Sequence, residues 1–252
     1  MLTQATIDRM HAMKLTSLAD AFKNQLASQQ HATLSFEERV GLMIDAEYAA
    51  REQRKLARRL QCARLRQLAS VEDIDWQAHR GLDRQVVLGL ASCAWIREKQ
   101  NLLITGPTGV GKSWLACAFA EGACRAGHSA LYTRAPRLHH DLGVARGDGS
   151  YGRLLARLAR TELLVIDDFG LAPLKDAERR DLLEILEDRY DRGSTLVTSQ
   201  LPVKSWHDVI GEPTLADAIC DRLIHAAHRI ELKGGSLREP KARAKQPTKV
   251  GS

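Results

Sequence analysis

The spacing of apolar positions changes character along the chain. Leu15, Leu18, Phe22 and Leu26 recur every three or four residues, which predicts an amphipathic helix. Ser35 followed by Glu38 has the form of a capping box. It precedes a long run of the same period through Val40, Ile44 and Tyr48 that continues to Leu56 and Leu60, so one extended helix is expected. Further on, short apolar runs replace this pattern: Leu102 to Ile104, Ser129 to Thr133, Leu163 to Asp168, Thr195 to Gln200 and His228 to Leu232. Each is short enough to be a buried strand. Helical stretches lie between them, most clearly Trp114 to Ala120 and Ala177 to Arg192, with another before the first strand from about Asp83 to Trp95. Strands alternating with helices imply an α/β fold, a parallel sheet covered by helices on both faces, with ligands at the carboxyl ends of its strands. The expected organisation is a helical N-terminal domain over 1–70 and a linker over 71–82 that includes the acidic VEDIDW. An α/β domain over 83–238 and a basic, disordered tail over 239–252 complete it.

Composition narrows the class. A chain of 252 residues has room for one large domain and one small one. No apolar run approaches the ~20 residues that cross a bilayer, and the first residues lack a signal-peptide pattern. The five cysteines are scattered without a C-x-x-C pair, which suits a reducing compartment and argues against a structural zinc site. His139-His140 has no further ligands at metal-binding spacing. A soluble cytoplasmic protein with no membrane association is expected.

Charge adds a partner. Seven basic residues and one acid fall between Arg51 and Arg66, and six basic residues and one acid between Lys233 and Ser252. The net charge is +6, so the rest of the chain is acidic overall. Arg51, Arg54, Lys55, Arg58 and Arg59 would form a stripe along the long helix, able to follow phosphates without reading bases. Arg146 and Arg153, in a second arginine-rich region broken by Gly147-Asp148-Gly149-Ser150, are further candidate DNA contacts. Both regions are equally readable as solvated helix faces.

The most specific chemistry lies in NLLITGPTGVGKSWLA, residues 101–116. Gly106, Gly111, Lys112 and Ser113 match G-x-x-x-x-G-K-S between an expected strand and an expected helix. Such a loop turns backbone N–H groups toward phosphate oxygens. The cradle for ATP is therefore Gly106, Pro107, Thr108, Gly109, Val110, Gly111, Lys112, Ser113 and Trp114, backed by a helix N-terminus. Lys112 would reach the β- and γ-phosphates, and Ser113 would ligate Mg²⁺. Asp167 and Asp168 end the apolar run LLVIDD. Asp167 is assigned to Mg²⁺, and Asp168 to orienting or deprotonating the attacking water. At the end of the next strand Thr198, Ser199 and Gln200 could each present a polar group to that water, and Gln200 is preferred. All three are also ordinary turn residues.

LLVIDDFG, TSQLP with the tryptophan that follows, DRL with HAAHRIEL, and the closing G-x-S-x-R resemble the IstB-type helper ATPases of bacterial insertion sequences. Those are AAA+ proteins akin to the DnaC helicase loaders and DnaA initiators, and the likeness runs over nearly the whole chain. It implies a P-loop AAA+ core in which the TSQ strand lies between the phosphate-loop and DD strands. It also implies an ATP-dependent homo-oligomer, with ATP between protomers, that assembles on duplex DNA and assists a partner transposase. Such a protein would be nucleoid-associated. On this resemblance Arg222 is the arginine finger that completes a neighbour's site, and Arg238 is a second sensor arginine in cis. Only a short tail follows Arg238, so the helical lid usual in AAA+ proteins is not expected. A helicase loader preferring single strands, and a nucleotide-gated DNA-binding scaffold with negligible turnover, are the alternatives.

Overall fold

In the computed structural model, residues 2–28, 33–78 and 80–237 are described. Arg238 and the expected tail lie outside them. Three helices come first: α1 (Leu2–Ala12), α2 (Thr16–Ala27) and α3 (Phe36–Ala63). Then follow α4 (Arg84–Ala91), α5 (Ala94–Arg97), β1 (Leu102–Thr105), α6 (Lys112–Arg125), β2 (Ala130–Arg134), α7 (Ala135–Asp148) and α8 (Tyr151–Arg160). The order closes with β3 (Leu163–Phe169), α9 (Asp176–Arg189), β4 (Ser194–Ser199), α10 (Trp206–Ile210), α11 (Pro213–Ile224) and β5 (His228–Glu231).

Two compact units result, Met1–Arg58 and Arg59–Ser252. The division falls inside α3. In the first unit α1 packs on α2. The reciprocal cap expected at the start of α3 is present: Ser35 N–H donates to Glu38 Oε2 at 2.8 Å, and Glu38 N–H to Ser35 Oγ at 3.2 Å. Glu47 is buried there. Its Oε2 accepts from the Leu18 N–H at 3.1 Å, and its Oε1 receives Arg51 and Arg54.

The second unit is built on a wholly parallel five-stranded sheet in the order β2-β3-β4-β1-β5. The TSQ strand β4 lies between the DD strand β3 and the phosphate-loop strand β1, as the resemblance implies. Because side chains alternate across a strand, each run has two fates. Leu103, Leu131, Leu164, Ile166 and Val197 face a core shared with α7, α8, α9, α10 and α11, where Phe169 and Trp206 meet edge-on at 4.9 Å. The intervening residues face α6, which packs on β1, β2, β3 and β4. The helix expected from Asp83 to Trp95 is interrupted. Asp83 caps α4 through the N–H groups of Gln85 and Val86, but Cys93 adopts a left-handed φ of 58° that starts α5 in a new direction. Trp95 Nε1 then donates to the Leu90 carbonyl at 3.0 Å.

Candidate active site

The strand alternation that puts Tyr132 and Thr198 on the α6 side also brings Asp167 there, opposite the N-terminus of α6. Ser113 Oγ donates to Asp167 Oδ1 at 2.9 Å. Thr198 Oγ1 donates to the same oxygen, and the Tyr132 hydroxyl to Oδ2. Asp167 is fully buried. Burial, and then the hydrogen bond to that carboxylate, push the Tyr132 hydroxyl well above its usual range, so it stays a proton donor at any working pH.

A regular strand would turn Asp168 to the opposite face. Instead β3 carries one extra residue against β4: Ile166 pairs with Val197 and Phe169 with Ser199, leaving Asp167 and Asp168 together opposite Thr198. Asp168 takes a left-handed φ of 61°, a conformation aspartate tolerates better than most residues. Its N–H donates to Thr198 Oγ1 at 3.1 Å. The bulge thus keeps consecutive carboxylates on one side of the sheet, Asp168 at the cleft and Asp167 buried against Ser113, and a single threonine fixes both. Asp168 is further tied to Arg134 at the end of β2, whose Nε lies 2.8 Å from Oδ2.

The phosphate loop arches over this pair. Gly106, Gly109 and Gly111 have φ of 145°, 86° and 98°. A Cβ at Gly106 would collide with the Leu232 carbonyl, and one at Gly109 with Ser236, so chain beyond β5 closes on the loop. The Leu237 N–H also donates to the Gly109 carbonyl at 3.0 Å. Lys112 Nζ donates to the Gly106 and Pro107 carbonyls at 2.8 Å each. Thr108 Oγ1 donates to Gln200 Oε1 at 2.8 Å, which places Gln200 at the cleft. Val110 is buried and offers its carbonyl to Arg80. Trp114 lines the cleft, which has a volume of about 500 Å³. The donor set fits Mg²⁺ with a nucleoside triphosphate: two hard oxygen ligands 2.9 Å apart, an ammonium group and a helix N-terminus beside them.

The remaining expected residues sit elsewhere. Arg222 is near the end of α11, and its carbonyl accepts from the Asn101 side chain just before β1. This is the N-terminal end of the strands, opposite the end that leads into its own phosphate loop. Arg222 pairs there with Glu187 at 3.2 Å and Asp221 at 3.6 Å, and its Nε is buried without a hydrogen-bond partner. Of the basic stripe, Arg51 and Arg54 are tied to Glu47, and Lys55 to Glu52. Arg146 is tied to the buried Asp181 and stacks over Tyr151. Arg153 lines a shallow groove with Asp141 and Asp148. Three site residues escaped the sequence reading. Tyr132 and Arg134 could have been found by extending strand parity from the DD pair to β2. Arg66 reaches the cleft from the segment after α3, and nothing in its spacing separates it from the basic run around it.

The IstB-like ATP binding protein family matches residues 8–245. The chain belongs to that family. A Sinorhizobium fredii protein named as an insertion sequence ATP-binding protein, y4pL, is 51% identical over 96% of this chain and 99% of its own length. An ATP-binding protein of insertion sequence IS21 from Pseudomonas aeruginosa is 31% identical over 90% of this chain and 85% of its own. Among solved structures, DnaI superposes with a TM-score of 0.57 at 22% identity, covering 69% of this chain and 92% of that one. Aquifex aeolicus DnaA gives 0.56 at 17% identity, covering 67% and 51%. These likenesses show the AAA+ fold. Among the described residues no helix is long and apolar enough to cross a membrane.

Proposed function

We propose that this member of the family is a DNA-dependent ATPase of an insertion sequence, forming an oligomer on duplex DNA that assists a transposase. The observation that carries the reading is the convergence of Lys112, Ser113 and Asp168 on one cleft, with Asp167 hydrogen-bonded to Ser113. Bound Mg²⁺ would neutralise charge developing on the γ-phosphoryl group. Lys112 would exchange its loop carbonyls for phosphate oxygens, and Ser113 with Asp167 would hold the ion. Asp168, freed from Arg134, would orient the water and take its proton, with the Gln200 amide beside it. The orphaned Nε of Arg222, and its place at the end of the strands opposite its own phosphate loop, support a finger acting on a neighbouring protomer, which would make hydrolysis depend on assembly. Arg238 keeps its proposed role as a sensor of the same subunit's nucleotide. Arg58 and Arg59, with Arg51, Arg54 and Lys55 once released from their intrahelical acids, would bind DNA phosphates, as would Arg153. Arg146 would have to leave Asp181 to join them. Association with the nucleoid would follow.

The Arg134–Asp168 ion pair favours a second reading, a nucleotide-gated scaffold whose basal turnover is slow because its base is held. Particle mass on random duplex and single-stranded DNA, with ATP, ADP or neither, tests the proposal, with turnover measured on the same samples. Large particles on duplex DNA with ATP alone, absent for Lys112→Ala, are expected. A single-strand preference would move the assignment to a helicase loader, and assembly without turnover to the scaffold.

A further inference from the structure

Arg66 stands in the segment after α3, just past Arg64, whose φ of 52° leads the chain out of the helix. Its Nη1 lies 3.8 Å from Asp167 Oδ2, the oxygen to which the Tyr132 hydroxyl donates. The other carboxylate oxygen, Oδ1, is the one that Ser113 and Thr198 occupy. Arg66 is therefore the counter-charge of a fully buried carboxylate, on the side away from the serine. It is a loose one. A separation of 3.8 Å is too long for a hydrogen bond, and the side chain is 44% exposed. It lines the same cleft as Lys112, Ser113 and Asp168.

A divalent cation held by Ser113 and Asp167 would take over the carboxylate, and like charge would drive the guanidinium off. It would then lie in the cleft beside the phosphate loop, where its planar fork matches phosphate oxygens. We propose that Arg66 is a phosphate ligand acting in cis, engaged only after the metal has displaced it from Asp167. The inference rests on the nucleotide reading of the cleft and adds to it a residue that makes affinity for the triphosphate conditional on the metal.

Titration of fluorescent ATP and ADP analogues, in Mg²⁺ and in EDTA, into wild type, Arg66→Ala, Arg66→Lys and Lys112→Ala is the test. Arg66→Ala is expected to weaken ATP binding in Mg²⁺ about tenfold, the worth of one charge-assisted hydrogen bond. The loss should be about threefold or less for ADP, and for either nucleotide in EDTA. Arg66→Lys, which keeps the charge but not the fork, should fall between alanine and wild type for ATP in Mg²⁺ only. It decides the matter if the alanine variant does not fold. Equal losses in Mg²⁺ and EDTA, or tighter Mg²⁺-ATP binding once the carboxylate is freed, would make Arg66 a counter-charge alone and overturn the proposal. Lys112→Ala separates this from the underlying reading. If that variant binds both nucleotides like wild type, the cleft is not the nucleotide site, whatever Arg66 does.

Discussion

Thr198 is the residue on which the site's geometry turns, and replacing it by valine, nearly its shape, removes one oxygen. That oxygen donates to Asp167 Oδ1 and accepts from the Asp168 N–H, and the side chain is fully buried. A hydrogen bond to a charged group contributes about 1.5–3 kcal/mol, and an orphaned buried N–H costs about 1–3 kcal/mol. The two overlap because the bulge can relax, so about 3 kcal/mol is the expected destabilisation. At roughly 2–4 °C per kcal/mol for a chain of this size, Thr198→Val should melt about 6–12 °C below wild type. Catalysis should suffer separately. Both carboxylates lose the group that sets their positions, and a shift of about 1 Å in a reacting group can cost about a hundredfold in rate. Turnover should therefore fall at least about tenfold, while ADP affinity in EDTA stays within about threefold, because Lys112 and the loop are untouched. Thr198→Ser, which restores the hydroxyl, should recover most of both losses. Calorimetry and a phosphate-release assay on the three proteins decide it. If valine melts and turns over like serine, the hydroxyl does not hold the carboxylates and the bulge is maintained by packing alone.

Further expectations concern the loop, the neighbour's site and the DNA stripe. Gly106→Ala would drive a methyl group into the Leu232 carbonyl at a φ of 145°, so nucleotide binding should be lost along with stability, as titration and melting would show. Arg222→Ala and Lys112→Ala should each be inactive alone, yet regain turnover when mixed on duplex DNA, since one supplies the finger and the other the intact loop. Mixtures that stay inactive would remove Arg222 from the reaction. Arg58→Ala with Arg59→Ala should reduce the slope of log affinity against log salt by about 0.9 for each phosphate no longer neutralised, equally on unrelated duplexes.

The two halves of the chain were unequally legible. In the α/β unit every strand was visible because a parallel sheet buried on both faces needs short continuous apolar runs, and the loop between β1 and α6 announces itself by glycine spacing. What sequence could not supply was the fate of the long side chains. Arg51, Arg54 and Lys55 recur at the spacing of a helix stripe, but Glu47 and Glu52 recur at that spacing too and take them up. Arg146 likewise serves Asp181, 35 residues away in sequence, a pairing no local pattern encodes.

The same asymmetry explains the site. Glycine and strand signals identify the residues whose backbone does the binding, whereas charge balance within the cleft is a tertiary property. Asp167 and Asp168 are adjacent, but their counter-charges come from distant segments, Arg66 after α3 and Arg134 at the end of β2. Each carboxylate that Mg²⁺ or water would need is therefore engaged by its own arginine. The two arginines balance the charge of the two acids without occupying the Ser113 side of Asp167. On the proposed reading, nucleotide and metal would exchange these partners and would not have to assemble the site.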